Sequence, residues 1–465
     1  MSIIRNNFVL ITILVLAAGC ATTQERQAFS EWKKESQKFS NSSIDDENLP
    51  DLTENATLDD YVLYAMLDNP GLHAAFERWK AALEKVTPAR TLPDPRFTYA
   101  NYIKEVETRV GPQEHKFGLA QTFPWFGKLD LQGEMALQAA RAERQRYESE
   151  KLDLVYRVKK IYYEYCYLAQ ATDIAKDNVI LLTHFESVAR AKYKGGVGLQ
   201  SAVIKAQVEL GKLEDRLLSL QDLMRPVGVK LNITLNRQSY MALPTPKALP
   251  AAKRNFSDEE LFTLLRAENP NLKILDFMAA KEDFAIKLSE KNFFPDMTLG
   301  VDYIDTDSRS DMDPKDNGKN PVIAKLSVNV PIWHQKYNAI EKEAKARRRA
   351  VMRERKQKEN SLIADLEMAL YGLRNADRKL DLYRNTLLPK AEQNVKVTQL
   401  AFTSDKASFL DLIDSQRILL GFQLEHERAL ADRAQRIAEI EMLAGGDIDR
   451  KKARSETDKP LLKKE

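Results

Sequence analysis

The chain has 465 residues and a formal net charge of +3, with 43% hydrophobic and 30% charged residues. This composition is that of a folded chain rather than a disordered one, and the nearly balanced charge gives little support to nucleic-acid binding. Only 17 glycines are present, which favours long helices over a loop-rich α/β enzyme.

Residues 1–19 have the pattern of a secretory signal peptide. Arg5 precedes a short apolar run at residues 8–16, which is too short to span a bilayer as a permanent helix. Small residues then lead up to Cys20, similar to a bacterial lipobox, so we expect Cys20 to carry acyl chains. Ala21 follows, and the absence of aspartate there favours the outer membrane. An ordinary cleaved signal with a chance cysteine is the alternative.

The chain contains an internal repeat. Asn-Pro-Gly-Leu at residues 69–72 recurs as Asn-Pro-Asn-Leu at residues 269–272, and Pro124 has a counterpart in Pro331. Such self-similarity at a long period indicates a duplicated structural unit. The predicted organisation is a signal peptide at 1–19, a lipid-anchored segment at 20–56, a first repeat at 57–236, a Pro-rich linker at 237–255, a second repeat at 256–444 and a charged tail at 445–465.

Each repeat is predicted to contain a helix, two strands, a very long helix, a turn and another long helix. The strands are clearest in the second repeat, where apolar and mostly polar residues alternate from Met297 to Tyr303 and from Val322 to Val330. A period of two predicts a strand with one apolar face. The first repeat shows weaker versions at residues 97–103 and 117–123.

A heptad pattern follows each strand pair. In the first repeat it predicts a helix from about Lys128 to Lys194, which at ~1.5 Å per residue is roughly 100 Å long. In the second repeat, Pro389 interrupts the pattern and is predicted to kink the helix. The seam of the second repeat consists of Leu362, Leu366, Ala369, Leu373, Ala376, Leu380, Tyr383 and Leu387.

Four strands are too few to close a barrel, and a sheet in contact with lipid must be closed. Three chains would supply twelve strands, with polar faces lining a lumen and apolar faces meeting lipid. The predicted fold is therefore mixed but mostly α: long coiled-coil helices that continue into the periplasm, plus four strands per chain contributing to a trimeric twelve-stranded transmembrane β-barrel.

The chain resembles the TolC-like outer-membrane efflux protein family. The resemblance rests on the two Asn-Pro repeats, on residues 121–128 (Gln-Thr-Phe-Pro-Trp-Phe-Gly-Lys), on residues 193–199 and on residues 409–414. It implies a homotrimer in the outer membrane with a twelve-stranded β-barrel, whose long coiled-coil helices form a periplasmic α-barrel. It also implies docking to a periplasmic adaptor (membrane fusion) protein and to an inner-membrane pump of the resistance-nodulation-division class. Residues 121–128 are most similar to the heavy-metal efflux branch.

The resemblance also implies two functional sites. The turns between paired long helices would form the adaptor-docking tip, consisting of Gly196, Val197, Gly198, Leu199, Ser404 and Asp405. Asp411 and Asp414, which share one helix face, would ring the periplasmic entrance as a gate. Each site has a simpler interpretation, because the glycines could merely end a helix and acidic residues in a first turn interact well with the helix dipole.

Three alternatives remain at this stage. The chain could be a lipid-anchored periplasmic coiled-coil scaffold without a pore, or the exit duct of a protein secretion system. An enzyme is the weakest interpretation, since the five histidines are scattered and no catalytic motif is visible. No catalytic residue, metal site, cofactor or nucleic-acid partner is predicted.

Overall fold

A computed structural model of the chain describes residues 22–40, 49–246, 256–404 and 406–446. The predicted signal peptide and Cys20 lie outside these residues, as do Asp405, the second half of the linker and nearly all of the tail. Within the described ranges, no helix combines the length and the apolar character needed to cross a membrane.

The described residues form mostly helices and four strands. In chain order these are α1 (Thr23–Ser40), α2 (Leu58–Asp68), α3 (Pro70–Glu84), α4 (Val86–Arg90), β1 (Arg96–Val106), β2 (Gln113–Phe123), α5 (Lys128–Lys194), α6 (Gln200–Thr234), α7 (Asp258–Glu268), α8 (Pro270–Lys291), β3 (Met297–Thr306), β4 (Val322–Val328), α9 (His334–Leu382), a π-helical turn (Tyr383–Leu387), α10 (Leu388–Thr403) and α11 (Phe409–Leu443).

The repeated plan of helices, two strands and paired long helices is confirmed, and α5 has the predicted bounds. The strand ends differ from prediction. β1 and β2 are longer than the apolar alternation indicated, because cross-strand pairing continues through polar residues. β4 ends at Val328 rather than Val330, since Pro331 has no N–H for the ladder and the backbone turns, with Ile332 N donating to Val330 O at 2.9 Å.

The chain divides into two compact units. One contains residues 76–145 and 273–356 together with the start of the chain, and the other contains residues 36–75, 146–272 and the part beyond residue 357. Each predicted repeat contributes segments to both units, so sequence repeats and compact units are different divisions of the chain.

The first unit contains an antiparallel sheet in the order β1-β2-β3-β4. Its central pairing joins the two repeats, with Phe117 opposite Tyr303 and Leu119 opposite Val301. β1 and β4 are the outer strands. The sheet is therefore a single four-stranded layer within the described chain.

The heptad seams are buried in the second unit. Along α9, Leu362 to Ala376 are fully buried at seam positions, whereas Leu380, Tyr383 and Leu387 are half-buried. The first part of this seam packs with Leu261 and Leu265 of α7 and with Ile440 of α11. This burial confirms the apolar seam predicted from the spacing.

The predicted interruption at Pro389 is confirmed. The π-helical turn Tyr383–Leu387 lies immediately before α10, and Pro389 is at the start of α10. Proline lacks an N–H and its ring clashes with the preceding turn, so a wider hydrogen-bond pattern accommodates it. The chain therefore continues as helix after a local change of pitch.

The duplicated Asn-Pro pair performs the same task in both repeats. Asn69 ends α2 and donates its side-chain amide to Thr234 O at 3.0 Å, while its side-chain oxygen accepts from Leu72 N. Asn269 ends α7 and donates to Leu443 O at 2.9 Å. Each asparagine thus links one helix junction to the end of a distant helix, which explains why both copies keep it.

The N-terminal helix α1 packs on the first unit through charge and aromatic contacts. Arg90 lies between Glu25, at 3.6 Å, and Glu134, at 2.6 Å. Its side chain crosses Gly133, where a Cβ would come within 2.2 Å of it. Trp32 stacks on Phe76 with ring centroids 5.9 Å apart. The helix α1 is thereby fixed beside the segment that leads into β1.

Candidate functional site: the paired helix turns and the exposed sheet

The first turn joins α5 to α6 and depends on two glycines. Val197 N and Gly198 N both donate to Lys192 O, at 3.1 and 3.0 Å, which closes the end of α5. Gly196 has φ +77°, and a Cβ on Gly198 would lie 2.9 Å from Tyr193 N. Only glycine fits both positions without strain. Gly196 and Gly198 therefore have a structural role in ending the helix.

The other two residues of this turn have no such structural role. The side chains of Val197 and Leu199 are 71% and 74% exposed. Two neighbouring apolar side chains held in water on a rigid turn are typical of a contact surface. The adaptor-docking prediction thus rests on Val197 and Leu199 rather than on the glycines between them.

The second turn joins α10 to α11 without glycine. Ser404 Oγ donates to Leu400 O at 2.9 Å, and Lys406 N donates to Ala401 O at 2.8 Å. Ser404 is exposed, while Asp405 lies outside the described residues. Side-chain and backbone donors here satisfy carbonyls that a glycine turn would otherwise satisfy. The two turns therefore end their helices by different chemistry.

The two turns lie at the same end of the second unit. Lys192 Nζ donates to Phe402 O at 2.7 Å and lies 4.5 Å from the centre of the Phe402 ring. Phe402 packs against Phe409 with centroids 5.5 Å apart. Beneath them is a shared apolar cluster that includes Leu182, Phe185, Val203, Leu412 and Ile413. The structure thus brings together the described members of the predicted docking tip.

Asp411 forms a reciprocal cap with Ser408 at the start of α11. Ser408 N and Ser408 Oγ donate to Asp411 Oδ2 at 2.9 and 2.7 Å, and Asp411 N donates to Ser408 Oγ at 3.2 Å. The Ser408 hydroxyl and then its backbone N–H hold the pKa of the Asp411 carboxyl below its usual value. In the single chain, Asp411 therefore has the capping role that its first-turn position allows.

Asp414 is exposed and takes part in a series of ion pairs between neighbouring side chains. Arg417 lies 3.5 Å from Asp414 and 3.3 Å from Glu209 of α6, and Glu209 is 2.9 Å from Lys212. Leu412 and Ile413 are buried between the two aspartates, which are both exposed. Asp411 and Asp414 thus lie on the solvent-exposed face of α11, and they share this face as their spacing predicted. Their hydrogen-bond and ion-pair partners differ.

Several polar residues that hold the helix ends together were missed by the sequence analysis. Glu186 accepts from Arg190 Nε at 3.1 Å and from Gln207 at 3.0 Å. Both contacts lower the pKa of the Glu186 carboxyl, and the hydrogen bond from Arg190 has the larger effect. The Glu186–Arg190 pair was visible as an i, i+4 spacing. The Gln207 contact, and the buried hydrogen bond between Asn178 and Gln416, had no sequence signal because they join distant helices.

The sheet presents an exposed apolar face. In register across it lie Tyr99, Phe117, Tyr303 and Val322, and beside that row Phe97, Leu119, Val301 and Ala324. Every large apolar side chain in these rows is exposed. Tyr99 Oη is 3.2 Å from His115 Nδ1 at one end of the face. A contiguous apolar surface of this kind is unusual on a protein in water and indicates contact with lipid or another chain.

The other end of the sheet is held by the sequence segment that carried part of the resemblance. Lys128 Nζ, nearly buried, donates to Asp296 Oδ1 at 2.8 Å and to Phe294 O at 3.0 Å. Trp125 stacks on Phe294 with centroids 5.2 Å apart. Phe126 remains exposed. The segment thus fixes the start of α5 below the strands and places aromatic rings at that level.

No group of three or more His, Cys, Asp or Glu residues within the described ranges is placed to hold a metal ion. Cys166 is buried, and burial raises the pKa of its thiol to about 12. This thiol is a poor nucleophile, since the thiolate is the reactive form.

Comparisons with known proteins identify the class. Residues 261–446 match the family model described as outer membrane efflux protein. Toxin and drug export protein A of Aggregatibacter actinomycetemcomitans is 25% identical over 178 residues. That match spans 38% of this chain and 38% of the relative, well under half of either protein.

Solved structures agree with this class. The outer membrane protein VceC of Vibrio cholerae has a TM-score of 0.71 at 15% identity, over 84% of this chain and 96% of that chain. CusC, whose structures concern folding and transmembrane channel formation, has a TM-score of 0.69 at 15% identity, over 84% of this chain and 92% of that chain. At this identity the likeness concerns the fold.

These findings confirm the resemblance predicted from the sequence. Over residues 261–446 the chain matches the outer membrane efflux proteins, and its fold is that of TolC-like outer-membrane channels. The family model that matches, and the solved structures with this fold, are those of outer-membrane efflux proteins and channels rather than enzymes. The mostly helical fold with four strands agrees with the coarse part of the predicted fold class, a mixed but mostly α chain.

Proposed function

We propose that this chain is the outer-membrane channel component of a tripartite efflux system. Three copies form a homotrimer in which twelve strands close a transmembrane β-barrel and the long helices form an α-barrel across the periplasm. Substrates pass through this conduit from a periplasmic adaptor and an inner-membrane pump, which supplies the energy.

The observation that carries the proposal is the exposed sheet. Its apolar face includes Phe117, Tyr303 and Leu326, and β1 and β4 form its two outer strands. A sheet in hydrocarbon must leave no unpaired edge, and four strands cannot close on themselves. Pairing of β1 with β4 of a second chain, repeated three times, satisfies both requirements.

The distribution of aromatic residues supports contact between this face and lipid. Tyr99, Phe117 and Tyr303 form one row across the sheet, and Phe117 is the fifth of the eleven residues of β2. Trp125 and Phe126 lie just beyond the end of β2 at Phe123. Aromatic rings at the edge of an apolar band are typical of transmembrane barrels, so Trp125 and Phe126 are proposed to mark one boundary of the hydrocarbon.

We further propose that Cys20 is acylated and anchors the chain in the outer membrane, after removal of residues 1–19. The docked helix α1 supports this proposal, because it begins at Thr23 and is fixed by Arg90 near the start of β1. An anchor a few residues before α1 would lie at the level where the strands begin. The assignment of residues 57–236 and 256–444 as duplicated units, joined by the linker 237–255 and followed by the tail 445–465, belongs to the same proposal.

The helix turns are proposed as the adaptor-docking tip, with Gly196, Val197, Gly198, Leu199, Ser404 and Asp405 as its residues. Asp411 and Asp414 are proposed as the entrance gate. Both are on the solvent-exposed face of α11. Three chains would place six carboxylates around one opening. Such a ring attracts cations. The capping contacts of Asp411 are compatible with this role, because a carboxylate that accepts hydrogen bonds from Ser408 keeps its negative charge.

The cargo and the partner pump are the most specific part of the proposal. The name of the Aggregatibacter relative includes both toxin and drug export, which supports drugs or a secreted protein as cargo. Residues 121–128 favour metal ions and a pump of the resistance-nodulation-division class. A susceptibility panel of metals and lipophilic drugs on a deletion strain distinguishes these cargoes.

Surface labelling in intact cells tests the proposal. A cysteine introduced by Ser310→Cys, in the loop between β3 and β4, should react with a membrane-impermeant maleimide. The matched variant Ser404→Cys lies in a helix turn and should react only after the outer membrane is permeabilised. Both positions are exposed, so accessibility in the isolated chain does not separate them.

The labelling pattern separates the channel from the scaffold alternative. A periplasmic coiled-coil tether would leave both positions on the periplasmic side of the outer membrane, where the reagent cannot reach them in intact cells. Protection of Ser310→Cys in intact cells, with normal labelling after permeabilisation, would therefore favour the tether and count against the channel.

A further inference from the structure

The polar face of the sheet carries a charged triad across three strands. Lys116 Nζ lies 2.7 Å from Asp302 Oδ2, and Lys325 Nζ lies 2.6 Å from Asp302 Oδ1. The Asp302 side chain is 3% exposed, whereas both lysines remain partly open to solvent. One carboxylate thus holds two ammonium groups in fixed positions on β2 and β4.

The backbone makes space for this arrangement. Gly118 lies directly opposite Asp302 in the ladder, and a Cβ on Gly118 would come within 2.8 Å of Asp302 Oδ1. Gly300, opposite Lys325, likewise leaves room beside the lysine. Glycine normally weakens a strand interior, so glycines at these two positions favour a built cluster over a chance contact.

The charges on this face do not balance. Arg96, Ala120, Gly300 and Lys325 lie in one row across the sheet. Directly opposed residues share a face, so Arg96 and Lys325 lie on the same side as the triad. Among the register-paired positions of this face, three side chains are cationic and Asp302 is the one carboxylate. Each chain therefore contributes a surplus of two positive charges.

We propose that this face is a binding site for small multivalent anions, with the ammonium groups of Lys116 and Lys325 as ligands. The inference rests on the proposed function, because only a closed barrel brings three copies of the face around one lumen. Asp302 acts as a positioning residue that holds the two ammonium groups side by side. The outer part of the channel then attracts anionic solutes and repels free cations, opposite to the carboxylates proposed for the entrance.

Block of channel current by pyrophosphate tests the site. The purified full-length chain is inserted into a planar bilayer, and pyrophosphate is titrated against the current. We expect concentration-dependent block of the wild-type channel. In the double variant Lys116→Gln/Lys325→Gln, the half-blocking concentration should rise about tenfold, because two close charges per chain are lost.

Lys287→Gln is the matched control, since Lys287 is an exposed lysine on helix α8 and its removal should leave the block unchanged. Equal oligomer mass in detergent shows that the variants assemble. A wild-type channel that conducts without block, or block that is equal in the double variant, would overturn this inference alone. A wild-type chain with no conductance would overturn the proposed function and the inference together.

Discussion

At the residue scale, Asp411 shows how one side chain can serve both local structure and a proposed gate. Its carboxylate accepts two hydrogen bonds from Ser408, whereas Asp414, three residues later, is held only by Arg417 at 3.5 Å. A capping role predicts a stability effect at Asp411 alone. A gate role predicts an effect on ion selectivity at both positions, so the two roles can be measured separately.

Asp411→Asn should lower the midpoint of thermal unfolding at neutral pH, and Asp414→Asn should not. The Ser408 contacts hold the pKa of Asp411 below its ordinary value of 3.8. The stabilisation is therefore fully present above that value and is lost as pH falls through the lowered pKa of the folded chain. The difference between wild type and Asp411→Asn should disappear in this acidic range. Equal midpoints at neutral pH would contradict the capping role.

The glycines of the first turn give a second prediction at the residue scale. Gly196→Ala forces an L-residue to φ +77°, and Gly198→Ala creates a clash with the backbone of Tyr193. Each should destabilise the helix pair by about 1 kcal/mol or more. Gly211→Ala is the control, because Gly211 is inside α6 with open space around it and alanine favours helix. Circular dichroism during thermal unfolding measures all three, and a stabilised Gly196→Ala would show that the turn is assigned wrongly.

At the scale of elements, the sequence determined the helices well because their signals are local. The heptad spacing gave the bounds of α5, and Pro389 marked the π-helical turn. Strand existence was also predictable from alternation. The strand ends were not, because pairing of β1 and β2 continues through polar residues such as Lys116 and ends where partners are lost.

Contacts between distant elements could not be predicted. The Lys192–Phe402 contact that joins the two turns spans 210 residues, and neither residue has a distinctive neighbourhood in the sequence. The Asp302 triad also depends on three strands from both repeats. Periodicity assigns a residue to a face of its own element, but it does not say which residue lies opposite.

The docking tip gives a prediction at the same scale. Val197→Ser with Leu199→Ser removes two exposed apolar side chains without changing the glycines that close the turn. Thermal stability should be unchanged, while cross-linking to the periplasmic adaptor in cells and resistance to the cargo should fall. Leu218→Ser is a control, since Leu218 is exposed on α6 away from the turn. Normal cross-linking in the double variant would contradict the proposed docking role.

At the scale of the whole molecule, the fold is similar to that of solved outer-membrane channels, and residues 261–446 match the family model of outer membrane efflux proteins. The single chain has an apolar sheet face exposed to solvent, which a stable protein covers with lipid or protein. The helical parts bury their own seams but also expose large apolar side chains such as Ile204, Val208 and Leu400. Membrane insertion is thus proposed to occur at the sheet, and contact between chains at the sheet and along the helices.

Conductance of the purified, detergent-extracted chain in a planar bilayer, measured together with its oligomer mass, decides whether the chain forms a trimeric channel. We expect a particle with the mass of three chains that inserts in discrete steps, each adding the same conductance. A stable trimer that inserts but never conducts, or a chain that stays monomeric and needs no detergent, would contradict it.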